Sequence, residues 1–410
     1  MTRSIDYAEL LAPGLPPGAA PWKGFPRFNF IGGHNDPDLI PVADLIVAAT
    51  RVLERQGRDL ATYHMTSGPL GLIELRQFLV DKLAKLRGIR TSPENVLITS
   101  GSMQAIQLIN QILLEPGDTV LVEEFTFAGA LNDLRGRGVN LVSVPLDEHG
   151  LRPDRLAPLL DDLARRGVRP KYLYTIPTIQ NPTGTVLSLE RRHELLELAH
   201  AYGVPIFEDE CYADLVWTGE WPPSLAALEE GNHVLHIGSF SKNLSPALRL
   251  GYVVAPWELL SRMVACKADG GTNALTQMMV ADFFGRRFAE HVDRLKAGLK
   301  HKLDALVMAL DREFGTAAEF VPPQGGMFLW VKLPDLVDTA TLERPALDAG
   351  IAFNPGPAWS ADPAAARSHM RLCFALPTAE EIAQGVAALA DVCHRQTGVP
   401  ARSANVARAN

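Results

Sequence analysis

Lys242 lies in the run Gly238-Ser239-Phe240-Ser241-Lys242, between apolar stretches at 234–237 and 250–255, with Arg249 seven residues later. A lysine between two buried strands is costly unless it is paired or covalently engaged, because desolvation opposes its charge. The plainer alternative is an exposed loop lysine beside a helix cap. Three other sets of residues bear on the choice. Ser100-Gly101-Ser102-Met103-Gln104 is a Gly/Ser turn feeding a helix, and the free amides and dipole of such an N-terminus attract an anion. It lacks the GxxxxGK[ST] and GxGxxG patterns, so a single phosphate suits it better than a nucleotide; a plain Ser N-cap is the bland reading. Asn181-Pro182-Thr183-Gly184 is a turn, and most such turns do no chemistry. Glu208-Asp209-Glu210-Cys211-Tyr212 closes an apolar run with acids, either a solvated rim or a carboxylate held against a cation.

The elements that must position these residues are readable from periodicity. Apolar runs at 96–99, 119–122, 140–144, 172–176, 204–207, 234–237 and 250–255 read as buried strands. Amphipathic helices are predicted at 42–56, 73–87, 103–114, 128–137, 155–166 and 189–202. Short continuous apolar strands separated by helices define an α/β fold, here a large domain with a mostly parallel seven-stranded sheet covered by helices. A long helix at 274–314, with Leu295, Leu299, Leu303, Val307 and Leu310 at helical spacing, leads to a smaller α+β domain. That domain is predicted to hold strands at 328–331 and 371–374 and a last helix at 379–393. The implied division is an N-terminal arm with part of the small domain (1–60), a large cofactor-binding domain (61–275), the linking helix with the C-terminal small domain (276–398), and a disordered tail (399–410).

In an open parallel sheet, ligands sit beyond the carboxyl ends of the strands. All four sets fall at such ends. A phosphate cradle, an Asn turn, a strand-end Asp with Tyr three residues on, and a lysine in buried context together imply pyridoxal 5'-phosphate (PLP). Its aldehyde needs a lysine, and its pyridine nitrogen needs a carboxylate to stay protonated so that the ring can accept electrons.

At this point the chain resembles the fold-type I PLP enzymes, specifically the class I/II aminotransferases, over nearly its whole length. The motifs that carry the resemblance are Asn181-Pro182-Thr183-Gly184, Asp209-Glu210-Cys211-Tyr212, and Ser239-Phe240-Ser241-Lys242 with Arg249. The nearest subgroup is the 2-aminoadipate and aromatic aminotransferase-like enzymes. The resemblance implies that Lys242 bonds the cofactor aldehyde and later shuttles the substrate proton, and that Asp209 pairs with the pyridinium. It implies that Asn181 and Tyr212 hydrogen-bond the phenolic oxygen, and that Ser102, Met103, Ser239, Ser241 and Arg249 hold the phosphate. Arg371 matches the arginine that takes the substrate α-carboxylate in a bidentate fork, with Gly33 and Asn181 beside the substrate. Tyr63 matches a tyrosine that reaches the partner's cofactor, implying a homodimer with shared active sites. The implied substrates are an L-amino acid and a 2-oxo acid, used in a ping-pong reaction.

There are departures from the family pattern. Phe127, in Phe125-Thr126-Phe127, stands where the stacked ring is usually tyrosine; stacking survives the change and a hydroxyl contact does not. Met103 replaces a frequent glutamine. His34-Asn35 stands where apolar-Pro is commoner, in a loop that often shapes the substrate pocket. The alternatives on the same scaffold are decarboxylation, elimination or cyclisation of an amino acid, and a PLP-sensing regulatory domain behind a helix-turn-helix. The Pro/Gly-rich, non-basic segment before the large domain argues against that regulator.

Composition agrees with a small-molecule enzyme. Of 410 residues, 47% are apolar and 21% charged, and the net charge of -8 disfavours nucleic acid and anionic membranes as partners. No apolar stretch has the length of a signal-peptide core or membrane helix. Cys211, Cys266, Cys373 and Cys393 are widely spaced, consistent with reduced thiols in a cytoplasmic protein. The histidines show no HxxxH pair, so no metal site is expected.

Overall fold

Seven strands form one sheet: β1 (Val96–Thr99), β2 (Thr119–Glu123), β3 (Asn140–Val144), β4 (Leu173–Thr175), β5 (Ile206–Asp209), β6 (Val234–Ser239) and β7 (Gly251–Val254). Their spatial order is β1-β7-β6-β5-β4-β2-β3. The pairs β6-β5, β5-β4, β4-β2 and β2-β3 are parallel, while β7 runs antiparallel to both β1 and β6. The computed structural model describes residues 5–401, apart from 13–14, 16–17, 65–66, 218–221, 230 and 232. Parts of the Pro/Gly-rich arm (Pro13-Gly14, Pro16-Pro17), Met65-Thr66, and most of the tail expected to be disordered lie outside the described residues.

Every residue of β1, β2, β4, β5, β6 and β7 is buried, which is why these strands read as uninterrupted apolar runs. Only the edge strand β3 is half-exposed. The helices on the two faces include α1 (Val42–Gln56), α2 (Ile73–Arg87), α3 (Ser102–Leu113), α4 (Ala128–Gly136), α5 (Pro153–Arg165) and α6 (Leu189–Tyr202). Their ends follow local rules. Ser188 caps α6 by accepting from the amide of Arg191, Gly203 ends it in the left-handed region, and α5 starts on Pro153.

Several strand limits differ from the apolar runs, and two of the differences bear on the site. The run at 172–176 yields only Leu173–Thr175, because the amide of Ile176 donates to the Glu123 carboxylate and leaves the ladder. The run at 204–207 becomes Ile206–Asp209, so that the strand itself carries Asp209 to its carboxyl end.

The long helix α8 (Ala274–Phe314), following α7 (Trp257–Cys266), buries Leu295, Leu299, Leu303 and Leu310 against the C-terminal unit. Each such leucine is worth about 1.5–3 kcal/mol of burial. That unit contains β8 (Phe328–Lys332), β9 (Asn354–Pro355) and β10 (His369–Cys373) in an antiparallel sheet ordered β8-β10-β9, with α9 (Thr339–Asp348) and α10 (Ala379–Thr397). The sequence reading has no counterpart for α9, whose Pro345 argues against a helix. It also misses the parallel pairing of Phe28–Asn29 with Ile351–Ala352, which seats Phe28 and Phe30 in the same apolar cluster as Leu372, Phe374 and Val386. Among the described residues no helix is long and apolar enough to cross a membrane, and all four cysteines are free.

Candidate active site

Because β5 and β6 are parallel, Asp209 at the end of one and the turn after the other emerge on the same rim. The antiparallel β7 adds to that rim from the other direction. Its first residue, Gly251, pairs with Thr99 at the end of β1 and with Ser239 at the end of β6. Arg249, two residues earlier and in the left-handed region, is thereby delivered between the Ser100–Ser102 turn and the Ser239–Ser241 turn. Its Nη2 donates to the carbonyl of Ser100 at 3.3 Å.

Gly101 caps α3 with a positive φ of 86°, and a Cβ there would collide with the Arg249 guanidinium. The first amides of a helix have no acceptor within it, so Ser102 and Met103 offer donors beside that cation. The Oγ of Ser239 accepts from the amide of Ser241 at 3.1 Å. A small dianion fits this donor set of helix amides, hydroxyls and one guanidinium.

Lys242 follows this turn. It keeps some access to solvent, and its Nζ donates to the carbonyl of Gly33 at 3.1 Å and lies 6.0 Å from the centre of the Tyr212 ring. Burial pulls its ammonium below the ordinary lysine value, with Arg371 and Arg249 adding to the fall and two cysteines opposing it. A Cβ on Gly33 would meet Nζ, so a larger residue there would push the end of the lysine aside. Asp209 is buried and accepts from the hydroxyl of Tyr174 at 2.7 Å and the amide of Cys211 at 3.1 Å. Burial pushes its carboxyl up, and hydrogen bonds from Cys211 and Tyr174 oppose the rise. An additional cationic partner would complete this carboxylate.

The C-terminal unit closes the site from above. Arg371 on β10 pairs across the ladders with Trp330 and Asn354. Its Nη1 donates to Oδ1 of Asn181 at 3.0 Å, and its Nη2 to the carbonyl of Gly32 at 2.7 Å and Oδ1 of Asn354 at 3.0 Å. The guanidinium lies 4.0 Å from the centre of the Trp359 ring and 5.2 Å from that of Phe328. Burial lowers its proton affinity, and the neighbouring Tyr212 hydroxyl offsets part of that. Tyr212 itself stands edge-on to Phe328, and burial drives its hydroxyl upward. Phe127 meets Trp359 at 6.4 Å, while the amide of Thr126 donates to the Trp359 carbonyl.

The structure thus gathers Gly33, Asn181, Asp209, Tyr212, Lys242 and Arg371 around one space, with Ser102, Met103, Phe127, Ser239, Ser241 and Arg249 along its floor and rim. Tyr63 does not join them. It is 84% exposed, on a loop packed near Gly270.

Four contributors escape the sequence reading. Asn354, on the two-residue β9, and Trp359, in the short turn of helix after it, belong to no motif. Gln180, next to Asn181, donates to Glu123 and to the carbonyl of Phe125, while its Oε1 accepts from Thr183. It therefore joins the Asn181 turn to the Phe125–Phe127 loop. Glu123, fully buried, is pushed up to about 7 by desolvation, against hydrogen bonds from Gln180, Thr175 and Ile176. Of the four, only Glu123 carries a signal in the sequence, as the polar end of an otherwise apolar strand.

Behind the same turn, Arg192 donates to the carbonyls of Leu187, Pro223 and Pro177 and to Thr178, and Arg87 pairs with Glu210 at 2.5 Å. Buried charges of this kind are tolerable because each is met by partners.

An α/β protein with a half-buried lysine, a strand-end aspartate, a helix start beside an arginine and a second arginine under Trp359 has the groups that amino-acid chemistry uses. The family model for aminotransferase class I and II matches residues 33–389, and the chain belongs to that family. The 2-aminoadipate transaminase of Thermus thermophilus is 36% identical over 363 residues, covering 87% of this chain and 88% of the relative. The aromatic-amino-acid aminotransferase 1 of Thermococcus litoralis is 32% identical over 366 residues, 88% of this chain and 87% of the relative. A solved structure of the Thermus thermophilus alpha-aminoadipate aminotransferase, complexed with N-(5'-phosphopyridoxyl)-L-leucine, has a TM-score of 0.80 at 35% identity, covering 89% and 91% of the two chains. The protein is an aminotransferase: the expected fold, subgroup and amino-group transfer all hold.

Proposed function

We propose that the chain transfers the amino group of an L-amino acid to a 2-oxo acid using PLP held at Lys242. One observation carries the reading: the adjacent carbonyls of Gly32 and Gly33 hold Arg371 and Lys242, respectively. A cation for a carboxylate and an amine for carbonyl chemistry are therefore anchored side by side. An α-amino acid carries its two reacting groups on one carbon, and that spacing suits it.

When bound, PLP supplies an aldehyde to take the amino group and a ring to accept the electrons of the cleaved Cα–H bond. The protein's part follows from its own residues. Lys242, with its proton affinity lowered by burial, is the amine available to bond the aldehyde and then to carry the proton released from Cα. Asp209 would keep a ring nitrogen protonated, its charge held by Tyr174 and Cys211. The α3 amides, Ser102, Ser239, Ser241 and Arg249 would hold the phosphate, and Phe127 would lie against the ring. Asn181 and Tyr212 would bond the phenolic oxygen, and Arg371, flattened between Trp359 and Phe328, would fork onto the substrate carboxylate. The kinship with 2-aminoadipate and aromatic aminotransferases makes those amino acids the first donors to test.

Adding an amino donor without an acceptor should convert the bound cofactor's aldehyde absorbance to that of its amine form, and a 2-oxo acid should reverse the change. Release of ammonia or CO₂ without that spectral exchange would instead indicate elimination or decarboxylation.

The active form is proposed to be a homodimer. Helix α1 buries Ala48 and Val52 inward yet leaves Val42, Ile46, Val47 and Leu53 exposed, and Leu60 and Tyr63 continue the apolar surface. A second copy seated there would put Tyr63 against its partner's phosphate site. Light scattering should give twice the chain mass, and Ile46→Asp should halve that mass and lower activity. A wild-type chain that is fully active as a monomer would refute the shared site.

A further inference from the structure

We propose a second, metal-binding site formed by His200, Glu229 and His233, at the start of β6 and so at the opposite end of that strand from the Lys242 rim. His200 lies in the last turn of α6, and His233 immediately precedes β6, so the site joins a helix end to a strand start. β6 and the turn beyond it place His233 roughly 20 Å from Lys242 at ordinary strand rise. Amino transfer makes no use of this cluster.

The geometry is that of a three-ligand set. Nε2 of His200 lies 3.0 Å from Oε1 of Glu229, and Nδ1 of His233 lies 3.1 Å from the same oxygen. One donor atom from each residue falls within 4.8 Å of the others. Ligands about 2.0–2.2 Å from a tetrahedral zinc ion stand roughly 3.3–3.5 Å apart, so the two nitrogen–oxygen separations need to open by only a few tenths of an ångström, while the two nitrogens start within 4.8 Å of each other. The side chains differ in a telling way. The side chain of Glu229 is only 3% exposed, and its two oxygens accept from the amides of Gly231 and His233. It is thus a carboxylate fixed by backbone. The imidazoles are 46% and 41% exposed, their ring centres 4.5 Å apart, and free to turn onto an ion whose fourth position faces water.

Two imidazole nitrogens and one carboxylate oxygen suit zinc and its first-row neighbours better than magnesium or calcium. An ion here would tie the end of α6 to the start of β6, the strand that leads to Lys242. The competing account is a plain hydrogen-bonded cluster, with both imidazoles donating to Oε1.

The test is zinc titration of the full-length holoprotein, prepared without a polyhistidine tag and stripped with EDTA, in competition with a chromophoric chelator. One zinc ion per chain is expected. His200→Ala and Glu229→Gln should each weaken binding by about tenfold or more, on the scale of losses from disturbed metal sites, and magnesium should not compete. No zinc uptake by the wild-type protein would overturn the proposal, as would undiminished affinity in the His200→Ala/His233→Ala double variant.

Discussion

Lys242→Ala is expected to reduce turnover by about 10⁴-fold or more, because one substitution would remove both the proposed covalent anchor and the proposed proton carrier, and proton transfer alone contributes up to about that factor. Initial-rate assays with saturating PLP and the best donor would measure the loss. The fold should survive. Lys242 is desolvated and answered by only a backbone carbonyl, so a neutral methyl in its place removes a burdened cation rather than a support. Thermal unfolding of the cofactor-free variant is therefore expected at or above the wild-type temperature. A normal turnover rate in a well-folded variant would sink the proposed mechanism. The sign of the pH effect follows from the same burial. A lysine with lowered proton affinity reaches its neutral, nucleophilic form at lower pH than a free lysine does, so cofactor attachment should persist below the pH at which free lysine loses its nucleophile.

The second large effect is expected from Arg371→Lys. The charge is kept, but a single ammonium cannot reach Asn181, Asn354 and the Gly32 carbonyl while presenting a planar fork to a carboxylate. It also cannot fill the slot between Trp359 and Phe328 as a flat guanidinium does. Loss of a buried, hydrogen-bonded charge pair costs roughly 3–4 kcal/mol, or about 10²- to 10³-fold in kcat/KM. The loss should sit mainly in KM, since the carboxylate is bound equally before and during the reaction. A fall in kcat with KM unchanged would show that Arg371 acts on the reacting centre instead.

The parts legible in the sequence share one physical origin. Asp209 ends a fully buried strand, and Asn181, Lys242 and the Ser102 turn each follow one, so a polar residue at the end of an apolar run stands out, and the parallel topology brings those ends together. The helices α1, α2 and α8 are legible for a similar reason, their buried apolar residues recurring at helical spacing.

What could not be read depends on approach in space between distant segments. Trp359 flattens Arg371 from a short loop whose position is set by the packing of β9 and β10. Gln180 looks like one more turn residue until its two donations show that it couples two loops. The pairing of Phe28–Asn29 with Ile351–Ala352 joins residues from opposite ends of the chain through two backbone registers too short to leave a pattern. His200 and His233 carry no ligand spacing because the end of α6, the whole of β5 and the segment after it lie between them. Tyr63 is different again: its match to a known position is visible, but its contact would belong to a second copy of the chain.

The antiparallel placement of β7 has a consequence for how the protein is made. β1 is the first strand of the sheet to leave the ribosome, yet its only neighbour in the sheet is β7, the last. The strands from β2 to β6 can pair with one another while β1 waits as an unsatisfied apolar segment, and closing so long a loop is entropically late. Arg249 arrives with β7, so the anion cradle and the finished sheet come into being in the same event. Phosphate-group binding would then report on a nascent chain that has completed its large sheet, and chains halted before Val254 would expose β1 to chaperones or to other edges.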